Sequence, residues 1–279
     1  MLVSSKELFK VADQNNFAIP ATNFIDLDSA RTYVETAEKL NKPLILAFAE
    51  SHMELISLEE AALIGKYLAE KSKAPVVLHL DHGETESVIK KAIELGFSSV
   101  MIDASRDTIE ENIRKTKTIV EYAHSKGVAV EAEIGHVGSG VNYETPEETD
   151  SIYTEVSDAI RFVKETNVDS LAVSIGTAHG FYKGTPKINF ERLAEIHEAV
   201  SVPLVLHGGS SSGDENLEKC AITGICKINI FTDFLTAAIK KVNNEKPEDY
   251  LQLKEMANRG MEETLIHYFN VFHTEEVKN

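Results

Sequence analysis

At 279 residues, 43% hydrophobic and 26% charged, the chain is long enough to bury a large core. Its formal net charge of -17, with no run of Lys or Arg against it, argues against nucleic acid or an anionic membrane as a partner. Cys220 and Cys226 lack C-x-x-C spacing, no stretch approaches the roughly 20 apolar residues of a membrane span, and Met-Leu-Val-Ser-Ser-Lys at the start has no apolar signal core, so a reducing, cytoplasmic setting is expected.

Residues 4–14 place Leu8, Phe9, Val11 and Ala12 at helical spacing behind Ser-Ser-Lys-Glu, which predicts a capped amphipathic helix. An alternation follows. Short apolar runs predict strands at 17–23, 43–49, 76–80, 99–102, 128–134, 170–173, 203–206 and 226–230. Between and after them, helical patterns occupy 27–40, 58–70, 85–95, 108–125, 155–165, 189–199, 214–221 and 233–242. Strict alternation demands parallel strands with right-handed crossovers, and eight units is the number at which such a sheet closes. The expected fold is therefore α/β, a (β/α)8 TIM barrel over about 17–242 in one domain, with an N-terminal helix and a C-terminal helical extension at about 250–272. A doubly wound open sheet is the runner-up. Residues 135–153, with three glycines and the acidic run Glu144 to Asp150, exceed a usual βα loop and are expected to form a mobile lid.

Three of the apolar runs end alike. Val76-Val-Leu-His-Leu-Asp81-His82-Gly83, the run through His179-Gly180, and the run through His207-Gly208 each deliver a histidine at a strand's carboxyl end, where parallel barrels build their sites. Three imidazoles on one face leave a zinc-type ion an open coordination position, the layout of a catalytic centre. His52, His79, His124, His136, His197, His267 and His273 have no equivalent placement and read as core or surface residues. Neighbouring strand residues face opposite ways, so Asp81 and His82 can both serve the mouth only if the chain bends, a bend assigned to Gly83. The loop from Gly208 to Gly213 and the segment Asn229-Ile-Phe-Thr-Asp233 lie where barrels commonly hold phosphate on backbone N–H groups and a helix N-terminus.

Leu-His-Leu-Asp81-His82-Gly, Ser-Val-Met-Ile-Asp103-Ala-Ser, Val-Glu131-Ala-Glu133-Ile-Gly, Gly-Thr-Ala-His179-Gly180, Pro-Leu-Val-Leu-His207-Gly208 and Lys-Ile-Asn229 together resemble the class II, metal-dependent ketose-bisphosphate aldolases, nearest the fructose and tagatose branch. The resemblance implies zinc-dependent, reversible aldol cleavage of a ketose 1,6-bisphosphate to dihydroxyacetone phosphate and an aldehyde such as glyceraldehyde 3-phosphate, by a homodimer or homotetramer in carbohydrate metabolism. Carried over by position, His82, His179 and His207 would hold Zn2+, and Asp103 and Glu133 a second or displaced metal. Asp81 would exchange a proton with the aldehyde oxygen. Gly180, Gly208, Gly209, Ser210, Asn229, Ile230, Phe231 and Thr232 would form the dihydroxyacetone-phosphate pocket.

Departures from the family pattern are equally definite. Ser139-Gly140-Val141-Asn142 lacks the lid acid usually assigned to proton abstraction, which leaves Glu144 as the substitute. Ala49-Glu50-Ser51 stands where a hydroxyl or glycine is common, and Phe231 is bulkier than usual, so substrate preference stays open. An aldolase for a related keto-sugar phosphate, such as an inositol-catabolite phosphate, and a non-catalytic sugar-phosphate-binding descendant are the alternatives. A Schiff-base aldolase needs a lysine at a strand's carboxyl end, and Lys227 sits near the start of its run. A metal-dependent hydrolase barrel would carry His-x-His where this chain has Ala21-Thr22-Asn23.

Overall fold

Eight parallel strands close on themselves in chain order: β1 Ile19–Asn23, β2 Leu44–Ala49, β3 Val76–Gly83, β4 Ser99–Ile102, β5 Ala129–Ile134, β6 Ser170–Val173, β7 Leu204–Leu206 and β8 Ile225–Ile230. β8 returns to β1 with Ile19 beside Lys227 and Thr22 beside Ile230. The helices are α1 Ser5–Asn15, α2 Leu27–Leu40, α3 Leu58–Lys71, α4 Glu86–Leu95, α5 Ile109–Ser125, α6 Val156–Thr166, α7 Phe190–Ala199, α8 Asp214–Ile222, α9 Thr232–Glu245 and α10 Tyr250–Val271. This is a TIM barrel with helices added at both ends, as expected. The computed structural model describes residues 1–137, 153–180 and 186–277. The expected lid therefore lies, apart from its ends, outside the described residues. Among the described residues no helix is long and apolar enough to cross a membrane.

Local chemistry accounts for the helix boundaries. Asp26 and Ser29 form a reciprocal capping box on α2, Ser57 and Glu60 another on α3, and Gly96 in the left-handed region stops α4. Each strand turns alternate residues outward, where Leu46, Leu78, Val100, Val130, Leu171, Leu204 and Ile228 join the helices in the main core. α10 lies along α9 and α2. Its Met261, Leu265, Tyr268 and Phe269 are buried, and Tyr33 of α2 stacks on Phe234 of α9 with ring centroids 4.8 Å apart.

A second, smaller core plugs the barrel's amino end: Leu8, Phe9 and Ala12 of α1 pack on Phe17, Ile19, Ala21, Ile45, Val77 and Cys226. Above that apolar floor the strands bury a set of polar and charged residues: Asn23, His79, Asp81, Glu131, Glu133, Lys227 and Asn229. Buried parallel strands normally read as near-continuous hydrophobic runs, so this change of composition marks the working half of the barrel.

β3 continues to Gly83 instead of ending near residue 80, and its register with β4 shifts between Leu80 and Gly83. The bend expected at Gly83 is made one residue earlier, by His82 itself, whose φ is +44°. A non-glycine residue in that region carries strain that the surroundings must hold. Gly83 serves another purpose: a Cβ there would run into the Met101 carbonyl oxygen and come within 2.7 Å of Ile89 Cγ1. Gly83→Ala is accordingly expected to cost about 1–3 kcal/mol of stability, the usual scale of overpacking, read as a lowered melting temperature.

Candidate active site

Strands three, six and seven bring the predicted histidines together. Ring centroids are 4.5 Å apart for His82 and His207, 4.9 Å for His82 and His179, and 6.0 Å for His179 and His207. His179 and His207 approach because Gly208, at φ +68°, presses on the backbone of Ala178; a Cβ there would fall 2.6 Å from the Ala178 carbonyl carbon. Candidate ligand atoms of His82, His179 and His207 all lie within 4.8 Å of one another, and so do those of His82, Asp103 and Glu133.

Two of the three imidazoles are oriented from behind. His82 Nδ1 donates to Asp103 Oδ2 at 2.8 Å, and Asp103 Oδ1 also accepts from the Ser105 hydroxyl at 2.7 Å and from Ser105 N–H at 3.1 Å. His207 Nε2 donates to Glu131 Oε1 at 2.9 Å. Glu131 is held in turn by the Lys227 ammonium, 2.8 Å from both of its oxygens, and Lys227 also reaches His79 Nε2 at 3.2 Å. Fixing one ring nitrogen on a carboxylate sets the tautomer and presents the other nitrogen to a ligand. His207 Nδ1 and His179 Nε2 are buried without a hydrogen-bond partner, as is Glu133 Oε2. Buried polar atoms are rarely left bare, and two imidazole nitrogens beside a third imidazole are a donor set that suits a divalent ion of zinc type.

The charges point the same way. Burial alone would raise the Asp81 carboxyl, but the charges of His82 and Lys227 outweigh it and hold Asp81 well below the usual carboxylate range. Burial opposes an imidazolium at His82, yet Asp81 and Asp103 raise it to about 10. Burial and the neighbouring Asp103 charge push Glu133 up to about 8. Burial, then the cationic His82, lowers His179 to about 3. The cluster is thus a set of carboxylates drawing positive charge onto one histidine, and a bound cation relieves the same demand.

Asp81 accepts from Asn23 Nδ2 at its Oδ2 and from Asn229 Nδ2 at its Oδ1, both at 2.9 Å. The carboxylate plane is thereby fixed at the edge of a cavity of about 590 Å³, within the range of small-molecule sites. Asp81, His82, Asp103, His179, Gly180, Gly208, Ser210, Asn229, Phe231 and Thr232 line it, so most of the residues singled out in the sequence share one wall system. His207 and Glu133 are fully buried behind that lining. Gly209 and Ile230, expected to touch substrate, do not line the cavity: Gly209 packs on β8 and gives its N–H to the Asn229 carbonyl at 3.0 Å, and Ile230 belongs to the main core. Glu144 lies outside the described residues.

The loop after β8 runs straight into α9, and the Ser210 hydroxyl accepts from Phe231 N–H at 3.0 Å, tying the two loops together. Asp233 caps this arrangement, accepting from the Ser211 N–H and hydroxyl and from the Tyr268 hydroxyl.

Sequence reasoning missed several members. His52 and His136, read as core or surface residues, line the cavity. His52 is carried by a 3-10 turn, Glu50–Glu54, that directly follows β2. Asn23, Glu131 and Lys227 were not singled out as support for Asp81 and His207. Their shared signal was a polar residue at alternate positions of an otherwise apolar parallel strand. Lys227 lies below the cavity and does not line it, which agrees with the argument against Schiff-base chemistry.

The family profile described as fructose-bisphosphate aldolase class-II matches residues 3–277. Among solved structures, the YdjI aldolase from Escherichia coli K12 is 33% identical, with 98% of each chain covered and a TM-score of 0.89. A Coccidioides immitis chain assigned as a fructose-1,6-bisphosphate aldolase is 27% identical over 96% of this chain and 95% of its own, with a TM-score of 0.86. Fructose-bisphosphate aldolase from Campylobacter jejuni, at 23% identity over 98% of this chain and 95% of its own, shares the fold with a TM-score of 0.82.

Proposed function

The chain belongs to the class II fructose-bisphosphate aldolase family, and from that premise we propose that it catalyses the divalent-metal-dependent, reversible aldol cleavage of a phosphorylated ketose to dihydroxyacetone phosphate and an aldehyde. The observation that carries this reading is the pair of bare, buried imidazole nitrogens on His179 and His207, facing His82 beside a fixed Asp81. Fructose and tagatose 1,6-bisphosphates, with glyceraldehyde 3-phosphate as the aldehyde, are the reference substrates that the resemblance supplies.

His82, His179 and His207 would hold the ion, with Asp103 and Glu133 as a second position through His82. A bound divalent ion of zinc type supplies Lewis acidity, polarising a substrate carbonyl and offsetting the negative charge that develops on its oxygen. Asp81 is the acid and base of the carbon–carbon step: ionised, it takes the proton from the substrate hydroxyl in cleavage and returns it to the aldehyde oxygen in condensation. Asn23 and Asn229 keep its oxygens aimed while it does so. Ser210, Thr232 and the N-terminal turn of α9 receive the phosphate of the dihydroxyacetone half, with Gly180 and Gly208 lining the approach. Glu144 is the group proposed to remove the proton from the hydroxymethyl carbon of dihydroxyacetone phosphate.

A panel of phosphorylated ketoses, assayed for released dihydroxyacetone phosphate with and without chelator, tests the proposal. Turnover is expected to vanish on chelation and to return with zinc. Chelator-resistant turnover would sink the metal assignment, and release from none of the ketoses would sink the reaction.

A further inference from the structure

We infer that the aldehyde half of the substrate carries hydroxyl groups and no phosphate, so that the enzyme works on ketoses with a single phosphate, at the dihydroxyacetone end. The inference rests on the aldolase reading above and comes from a part of the rim that this reading leaves unused.

The loops after β2, β3 and β4 contribute Glu50, Ser51, His52, Glu84 and Arg106 to the cavity wall. Glu50 is pinned there, because its Oε2 accepts from Glu84 N–H at 2.8 Å and from Thr85 N–H at 3.1 Å. Those two bonds stitch the turn after β2 to the turn after β3 and hold an anion at the mouth. Among the described residues this stretch of rim brings two carboxylates against one guanidinium. A second phosphate dianion would meet an anion already pinned at this rim, with one guanidinium to offset it.

Hydroxyl groups meet the opposite situation. The second oxygen of Glu50 and the Ser51 hydroxyl both accept from an O–H donor. His52 is held between aromatic rings, its centroid 4.7 Å from Phe231 and 6.3 Å from Phe48, and its Nδ1 is buried without a hydrogen-bond partner. A ring clamped in that way gives this wall a fixed aromatic surface. Discrimination of this kind, repelling one ligand class while pairing another, is how closely related substrates are separated. Glu50 lies in Ala49-Glu50-Ser51, one of the departures seen in the sequence, and thus acts on the aldehyde end of the substrate.

The test uses the zinc-loaded enzyme in two stages. Exchange of the hydroxymethyl proton of dihydroxyacetone phosphate in deuterium oxide, with no aldehyde present, reports on the aldolase reading alone. Condensation is then measured with D- and L-glyceraldehyde against D-glyceraldehyde 3-phosphate. The better unphosphorylated aldehyde is expected to have a kcat/KM about tenfold or more above that of the phosphorylated one. Glu50→Gln, and Glu50→Gln with Glu84→Gln, should narrow that ratio by about fivefold or more, the size of one or two charge contacts. Exchange together with a preference for the phosphorylated aldehyde, or a ratio that neither variant moves, overturns this inference and leaves the aldolase reading standing. Absence of exchange overturns both.

Discussion

A His207→Ala variant is expected to purify without its divalent ion and to lose turnover by about 10³-fold or more, the scale of removing a Lewis acid from a carbonyl reaction. His207 is fully buried, one nitrogen committed to Glu131 and the other bare, so the alanine leaves two imidazoles to hold an ion that ordinarily takes three protein ligands at a catalytic centre. Metal analysis after dialysis, alongside circular dichroism to confirm folding, reads the result. Full occupancy in that variant would remove His207 from the ligand set. The loss has a second component: Glu131 keeps its bond to Lys227 but gives up a donor, and a buried carboxylate short of one bond costs about 1–3 kcal/mol. A modest fall in melting temperature should accompany the loss of metal.

Asp81→Ala should show the complementary pattern, with the ion retained and turnover lowered by about 10²–10⁴-fold, the range for a positioned acid or base. The two outcomes separate because His82, whose backbone is turned at φ +44°, and Asp81, whose oxygens meet Asn23 and Asn229, sit on one strand end in different company. Removing Asp81 also strips two amide groups of their acceptor, so the variant is expected to be less stable as well as slow. A large fall in bound zinc would make Asp81 a ligand and reassign the proton transfer.

Much of this was legible in the chain itself. The order of strands and helices followed from apolar periodicity and helix-stop residues, because each βα unit of a TIM barrel repeats one local pattern. The three histidines were legible for the same reason: each ends an apolar run at a glycine, and the fold decides where such ends meet. What stayed hidden depends on pairings between distant strands. Glu131 and Glu133 look alike in sequence, two residues apart in a strand, yet one faces Lys227 and His207 while the other faces Asp103 and Val137. The turn at His82 could not be read either, since a non-glycine residue in the left-handed region is uncommon and this one coincides with the register shift against β4. His52 escaped because the 3-10 turn that carries it has no apolar period to announce it.

The closure of the barrel also governs how the molecule can assemble. Lys227 lies on the last strand, its partners Glu131 and His79 on the fifth and third, and β8 joins the ring by pairing with β1 at the other end of the chain. Contacts so far apart in sequence pay their loop-closure entropy before they gain anything, which slows barrels of this kind relative to proteins built on local contacts. Until β8 arrives, Glu131 stands with His207 and Asp81 with Asn23, and neither carboxylate has its buried ammonium. A chain halted before residue 225 would therefore hold three histidines but present a half-neutralised acidic channel, open along one seam to water and to the strand edges of other chains. The site is complete only once β8 has closed the ring.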